Sequence, residues 1–110
     1  MDEQVFFRYE MEKSQDEQTG AKVTTVKCHG RLVFESAREM CEQLKPLIPL
    51  GGRIVIDLGD VSYLDSSGLG ALVGLKVSAV NQGFCTLELV NMAPRVIELM
   101  RITKVMQLFS

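Results

Sequence analysis

A six-residue run rich in β-branched residues, RIVIDL at 53–58, is followed within ten residues by a long helical pattern. The run is bounded by glycines and predicts a central strand covered on both faces. From about Ser67 the apolar spacing becomes that of a helix reaching Ala79 or Val80, with two candidate left-handed caps at Asn81 and Gly83. A strand followed by a helix and another strand requires a right-handed crossover, so this segment predicts an at least partly parallel sheet.

The N-terminal part of the chain predicts two paired strands. VFFRYEMEK at 5–13 begins with apolar residues and then alternates, and SQDEQTG at 14–20 predicts a polar turn. AKVTTVKCHG at 21–30 is rich in β-branched residues, with Val23 and Val26 as the expected inward positions. Together these segments predict a β-hairpin or meander.

Two further helices and one more strand complete the predicted order. Ser36 and Glu39 form a capping-box pattern that predicts a helix start, and prolines and glycines at 46–52 end that element. Its apolar residues at helical spacing are Ala37, Met40, Cys41, Leu44, Leu47 and Ile48. FCTLELV at 84–90 predicts another buried strand. A last helix, started near Pro94, is expected to turn four side chains inward: Val96, Ile97, Met100 and Ile102.

Length and composition predict a single soluble domain spanning residues 1–110. Hydrophobic residues make up 46% of the chain, charged residues 24%, and the formal net charge is −2. These values fit neither a disordered segment nor the basic excess of a nucleic-acid binder. The acidic N-terminus lacks the layout of a signal peptide, and no window approaches 18 consecutive apolar residues. We therefore expect a cytoplasmic protein without membrane insertion.

The cysteines and the single histidine do not form a metal-binding pattern. Cys28, Cys41 and Cys85 are widely spaced and contain no C-x-x-C pair, and His29 is the only histidine. We expect reduced, mostly buried thiols and no metal ion.

Catalytic and nucleotide-binding interpretations have little support. Asp57 and Asp60 are expected to be solvated acids of a strand-to-loop region, and no second base is present to activate Ser66 or Ser67. The segment GLGALVG, with Glu88 twenty residues after its first glycine, superficially meets a dinucleotide fingerprint. However, DSS already occupies the helix start, and Glu88 lies in the middle of a strand run. We expect no enzyme and no cofactor, with nucleotide binding kept as a minor alternative.

The segment DSSG at 65–68 is the candidate functional site. Asp65, Ser66 and Ser67 are all favoured N-cap residues, yet a helix needs only one cap. A helix start also presents free N–H groups and a partial positive charge, so a phosphate on the first serine would be accommodated there. Gly68 and Gly70 are expected to keep the turn free of bulk. From chemistry alone the segment is either a redundant cap or a modifiable switch that would repel an acidic partner once phosphorylated.

The stretch RIVIDLGDVSYLDSSGLGALVGL resembles the signature of the STAS-domain family and its anti-sigma factor antagonists. The segments HGRL, SAREMCEQL and FCTLELVNMAPRVIELMRITKVMQLF extend the resemblance over essentially the whole chain. The resemblance implies a single-domain α/β fold, in which a mixed, mostly parallel sheet is flanked by helices. It also implies a protein that binds a partner rather than catalyses a reaction.

The resemblance further implies a partner switch at Ser66. In the antagonists the serine directly after the aspartate is phosphorylated by an anti-sigma factor serine kinase, and a serine phosphatase resets it. The unphosphorylated protein captures the anti-sigma factor and the phosphorylated protein does not. The implied docking residues are Gly30, Arg31, Asp60, Ser62, Asp65, Ser66, Ser67, Gly68 and Leu69.

One departure concerns the turn after the second strand. The family often has glycine, an acid, leucine and aspartate there, whereas this chain has Gly30, Arg31, Leu32 and Val33. The replacement of both acids leaves the identity and the charge preference of the partner open. The alternative from another class is a constitutive STAS scaffold or accessory subunit, in which Ser66 is only a helix cap.

Overall fold

The structure is a computed structural model that describes residues 7–109. Within that range the predicted order of two strands, helix, strand, helix, strand and helix is confirmed. The elements are β1 (Arg8–Gln15), β2 (Lys22–Leu32), α1 (Phe34–Leu44), a 3₁₀ helix (Lys45–Leu50), β3 (Gly52–Leu64), α2 (Ser66–Gln82), β4 (Cys85–Val90), α3 (Pro94–Ile102) and a second 3₁₀ helix (Met106–Phe109). None of the helices described between residues 7 and 109 combines the length and hydropathy needed to cross a bilayer.

The four strands form one mixed sheet in the order β1-β2-β3-β4. β1 and β2 pair antiparallel, which confirms the predicted hairpin, while β2–β3 and β3–β4 pair parallel. The expected α/β fold with a mostly parallel sheet is therefore confirmed. β4 is an edge strand with an exposed Thr86, and Phe84 precedes it and is 75% exposed. The predicted strand is confirmed at Cys85–Val90, but the prediction that it is buried is wrong.

A single hydrophobic core lies on one face of the sheet. In β3 the side chains of Ile54, Ile56 and Leu58 are buried, whereas Arg53 and Val55 are half-buried on the opposite face. The prediction that this strand is covered on both faces is therefore wrong. Buried side chains of all three helices join the same core: Ala37, Met40, Leu44, Leu72, Leu75, Ala79, Val96 and Met100.

β2 alternates strictly, whereas β3 does not. In β2 the buried side chains are Thr24, Val26, Cys28 and Leu32, so Val23 faces away from the core and its predicted inward position is wrong. Val23 and Val26 are three residues apart and cannot share one face of a regular strand. In β3 the buried residues follow at intervals of two and then three: Ile54, Ile56, Leu58, Val61 and Leu64.

Two β-bulges cause the change of interval in β3. The pairs Lys27↔Asp57 and His29↔Asp60 enclose one extra residue of β3, and a second lies between Gly30↔Val61 and Arg31↔Tyr63. A bulge leaves one residue unpaired and bends its strand. Gly30 lies between these irregularities with a φ of 99°, which favours glycine. β3 therefore continues to Leu64, six residues beyond the predicted end.

The helices and β1 differ from prediction mainly at their boundaries. α1 begins at Phe34, not at Ser36, and the Ser36 hydroxyl accepts a hydrogen bond from the Val33 N–H at 2.8 Å. Ser36, the third residue of α1, thus hydrogen-bonds through its side chain to the residue that precedes the helix. α2 ends at Gln82, two or three residues beyond the predicted end, and is capped by Gly83 with a φ of 79°, one of the two predicted caps, while Asn81 is helical. β1 includes Ser14 and Gln15, which were predicted as turn. The predicted strand start at 5–6 lies outside the described residues.

α3 buries fewer side chains than its pattern indicates. Val96 and Met100 are buried as predicted, and Pro94 begins the helix. Ile97 is 39% exposed and Ile102 is 67% exposed, so their predicted inward positions are wrong. The half-buried Leu99 packs on the core instead, because it lies three residues after Val96 on the same helical face.

Candidate functional site

The candidate site lies where β2 and β3 end and α2 begins. Leu32 and Leu64, the last residues of these strands, are paired in the sheet. The next residue, Asp65, donates its N–H to the carbonyl oxygen of Leu32 at 3.4 Å, and α2 starts at Ser66. The end of the sheet therefore fixes the position of the helix start.

Asp65 alone caps α2. Its Oδ1 accepts a hydrogen bond from the Gly68 N–H at 2.8 Å, and its carbonyl oxygen accepts from the Leu69 N–H at 2.9 Å. The hydroxyl groups of Ser66 and Ser67 form no hydrogen bond within the described part of the chain. Ser66 is exposed at the first helical position, where the backbone N–H groups have no intrahelical carbonyl partner. Its hydroxyl group is thus free of any role in the fold.

Gly68 has a different role from the one predicted. It is buried, and a Cβ at this position would overlap with the carbonyl oxygen of Leu32 and lie 2.8 Å from Leu64 Cδ1. Gly70 has no atom within 4 Å of such a Cβ. Gly68 therefore allows α2 to approach the sheet, and Leu69 is half-buried against the core. Gly68 and Leu69 thus hold α2 against the sheet and the core beneath the site, while Ser66 and Gly70 lie at its surface.

The two acids of the predicted loop lie within β3, and both are hydrogen-bonded. Asp57 accepts the N–H of Gly59 through Oδ1 at 2.9 Å and the side-chain amide of Asn91 through Oδ2 at 3.1 Å. These bonds tie the first bulge to the connection between β4 and α3. The interpretation of Asp57 as a solvated turn acid is therefore wrong.

Asp60 is bound to His29 on the neighbouring strand. Its Oδ2 lies 2.6 Å from His29 Nδ1, and Glu10 of β1 lies 3.6 Å from Nε2 of the same ring. Nε2 is buried and has no hydrogen-bond partner among the described residues. Beside this cluster, Ser62 donates to the Gly30 carbonyl oxygen at 3.3 Å. These contacts hold the bulged end of β3 against β2, and His29 thus has a structural contact.

Arg31 and Tyr63 form one flank of the site. The guanidinium carbon of Arg31 lies 4.7 Å from the centroid of the Tyr63 ring, in the range of a cation–π contact. Tyr63 also borders a groove between the end of β3 and α3 with a volume of about 240 Å³. The other residues that line this groove are Leu64, Arg95, Val96, Glu98, Leu99 and Ile102.

A second groove lies on the other side of the helix start, between α1 and α2. It has a volume of about 270 Å³ and includes Ser67 and Phe34, which is 62% exposed. Its remaining lining residues are Ala37, Arg38, Cys41 and Ala71. Neither Phe34 nor Tyr63 was predicted to belong to the site. Phe34 could have been found as an apolar residue beside a predicted helix start. Tyr63 could not be found from strand periodicity, because the buried residues in this part of β3 are three residues apart.

The ionisable groups of the described chain do not form a reactive centre at Ser66. All three cysteines are free thiols, and burial raises the pKa of Cys28 to about 12, with a smaller contribution from Asp57. Burial also raises the pKa of Cys41 and of Cys85. Between residues 7 and 109 no three His, Cys, Asp or Glu side chains are placed to hold a metal ion.

The sequence model of the STAS domain matches residues 12–110. The anti-sigma-B factor antagonist of Bacillus subtilis (strain 168) is 42% identical over 74 residues, which are 67% of each protein. Unphosphorylated SpoIIAA, an anti-sigma factor antagonist, superposes with a TM-score of 0.70 at 17% identity, covering 89% of this chain and 82% of its own. Phosphorylated SpoIIAA from Bacillus gives 0.69 at 16% identity, covering 91% and 86%. This chain belongs to the STAS domain family.

Proposed function

We propose that this protein is an anti-sigma factor antagonist that works by partner switching at Ser66. The antagonist role is supported by the name and 42% identity of the Bacillus subtilis relative. The observation that carries the switch is the cap of α2. Because Asp65 supplies the side-chain cap, the hydroxyl group of the exposed Ser66 is not needed for capping, and a partner's active site can reach it.

In the proposed cycle an anti-sigma factor serine kinase binds the unphosphorylated protein and later modifies it. The Ser66 oxygen attacks the γ-phosphorus of ATP, ADP leaves, and the hydroxyl proton passes to a base of the kinase. The phosphoserine carries about −1.5 to −2 charges at pH 7 and stays at the positive end of the helix. A serine phosphatase then hydrolyses the ester with water and restores the hydroxyl group.

The proposed docking face surrounds Ser66 and includes Ser67, Arg31, Ser62 and Asp60. Its other members are Gly30 and Asp65, while Gly68 and Leu69 hold α2 in place beneath it. The two flanking grooves give an approaching protein apolar surface next to the hydroxyl group. Phosphorylation would change the charge of this face without removing a bond of the fold, so release of the partner follows from repulsion and desolvation.

The test is incubation with ATP and the anti-sigma factor serine kinase of the same organism, followed by intact-mass measurement. We expect one phosphoryl group on the wild-type protein and none on Ser66→Ala. Ser14→Ala, at an exposed serine of β1 outside the docking face, is the matched control and should be phosphorylated as the wild type is. Phosphate retained after Ser66→Ala would refute the site. A kinase complex equally stable with wild type and Ser66→Asp would favour the constitutive scaffold.

A further inference from the structure

The arginines of this chain fall into two groups. Four of the six pair with carboxylates: Arg8 with Glu10, Arg38 with Glu42, Arg53 with Glu88, and Arg101 with Glu98. Within residues 7–109 the other two, Arg31 and Arg95, form no ion pair. Both are exposed, and both border Tyr63.

The charges around Tyr63 are therefore unbalanced. Arg31 stacks on the Tyr63 ring, and Arg95 lines the groove that Tyr63 borders. Glu98 lines the same groove, but Arg101 Nη2 donates to its carboxylate at 2.7 Å. Among the charged residues that stack on Tyr63 or line its groove, the two without an ion pair are therefore both positive, although the whole chain has a formal net charge of −2.

Apolar surface lies between these two guanidinium groups. Tyr63 is 39% exposed and Ile102 is 67% exposed, and the half-buried Leu99 lines the groove between β3 and α3. A guanidinium group stacked on an aromatic ring keeps its N–H edge available for a bidentate carboxylate. This combination of apolar surface and free cations complements a segment that carries carboxylates beside apolar side chains.

We propose that Arg31, Tyr63, Arg95 and Ile102 form the docking surface for an acidic amphipathic segment of the anti-sigma factor. This inference rests on the proposed function and specifies the chemistry of its partner. Apolar side chains of the segment lie against Tyr63 and Ile102, and its carboxylates pair with Arg31 and Arg95. The arginine at position 31, where the family often has an acid, selects a partner of opposite charge.

The same surface explains why a phosphate on Ser66 would release such a partner. Ser66 follows Tyr63 by three residues, which span roughly 10 Å at most in an extended chain. A phosphoserine adds about −1.5 to −2 charges within reach of the acidic segment. Repulsion then acts on the contact that the arginines favour, so phosphorylation and docking oppose each other through charge.

The test measures the dissociation constant of the complex with the organism's anti-sigma factor serine kinase by calorimetry. Arg31→Glu and Arg95→Glu should each weaken binding about tenfold, and the weakening should shrink as salt is raised. Lys13→Glu makes the same change of charge at an exposed site of β1 that pairs with Thr24. That site is seven residues of β2 away from Arg31, roughly 23 Å. We expect its binding to stay within about twofold of wild type, since screening is nearly complete there.

The outcomes separate this surface from the proposed function. Wild-type binding that both arginine variants retain would overturn the docking surface and leave the antagonist function intact. A wild-type protein that does not bind the kinase would overturn both. Circular dichroism checks that the variants fold, and Ile102→Ser provides a second variant that should weaken binding without changing charge.

Two parallel measurements test whether a different molecule occupies this surface. Sedimentation of the free chain would report a second copy if Arg95→Glu converted a dimer to a monomer. Co-sedimentation with phosphatidylglycerol vesicles would report a membrane if Arg31→Glu abolished it. Either result, together with unchanged kinase binding by the variants, would refute the acidic protein segment as the occupant.

Discussion

The two halves of strand β3 differ in regularity and in what they support. Residues 52–57 pair in register with β2 on one side and β4 on the other, and their inward side chains are fully buried. Residues 58–64 pair only with β2 and include both bulges. Both halves contribute to the core, the irregular half through Leu58, Val61 and Leu64. Only the irregular half also directs Tyr63, Ser62 and Asp60 toward the site. One strand thus joins a part that only stabilises the fold to a part that also forms the site.

The largest expected effect comes from a core substitution in the regular half. Ile56→Ala removes a fully buried side chain and should lower the free energy of unfolding by about 2–5 kcal/mol. The matched change in the irregular half, Tyr63→Ala, should cost only about 1 kcal/mol, mainly through the lost contact with Arg31. Urea unfolding of both variants measures the difference. Equal losses would show that Tyr63 supports the fold as much as a core residue of the regular half does.

The next effect compares two glycines of α2. Gly68→Ala would force the helix away from Leu32 and Leu64 and should destabilise the protein by about 1–3 kcal/mol. Gly70→Ala introduces a better helix former in open space and should stabilise it by up to about 1 kcal/mol. Thermal unfolding followed by circular dichroism reports both signs. A neutral Gly68→Ala would mean that the approach of α2 to the sheet is adjustable.

A smaller effect is expected at the helix start itself. Asp65→Ala removes the only side-chain cap of α2 within the described residues and should cost about 1 kcal/mol. Ser66→Ala should change stability by less than about 0.5 kcal/mol, because its hydroxyl group bonds to no described residue. Chemical unfolding of the two variants measures both free energies of unfolding and tests this difference. If Ser66→Ala lowered the free energy of unfolding as much as Asp65→Ala does, the Ser66 hydroxyl group would have a structural role, contrary to this prediction.

The last comparison leaves stability unchanged and concerns the thiols. The raised pKa of Cys28, about 12, means a smaller thiolate fraction at pH 8 than in the unfolded chain, so this thiol should react only on unfolding. Cys41 also has a raised pKa, but it lines the groove beside Ser67 and should react first. Absorbance after addition of a disulfide reagent counts the reactive thiols. Cys41→Ser should remove the early phase; if it remains, the groove is not the accessible site.

Much of the fold was predictable because local patterns and tertiary structure agree there. The order of elements, the antiparallel hairpin, the α2 start near Ser66 and the cap at Gly83 all follow from periodicity and capping chemistry. The family resemblance supplied the sheet type and singled out Ser66. These features depend on residues close together in sequence.

The rest depends on contacts that sequence patterns do not report. β3 continues beyond Leu58 because β2 offers it a pairing edge, although Gly59 and Asp60 are typical of a turn. Ser36 resembles an N-cap, yet α1 starts two residues earlier with Ser36 bonded back to Val33. Ile102 fits the helical period, but Met100 is the last residue of α3 that is buried in the core. The two unpaired arginines emerge only once the partners of the other four are known.

The bulges of β3 also determine where the length of this chain can change. Loss of the extra residue at either bulge would restore regular pairing and leave Val61 and Leu64 opposite Gly30 and Leu32. Loss of one residue from 52–57 would instead turn the buried isoleucines to the opposite face. We therefore expect the loss of one residue of β3 to be tolerated at a bulge and to disrupt the core within residues 52–57. A change of length at the bulges would alter the recognition surface and leave the core in place.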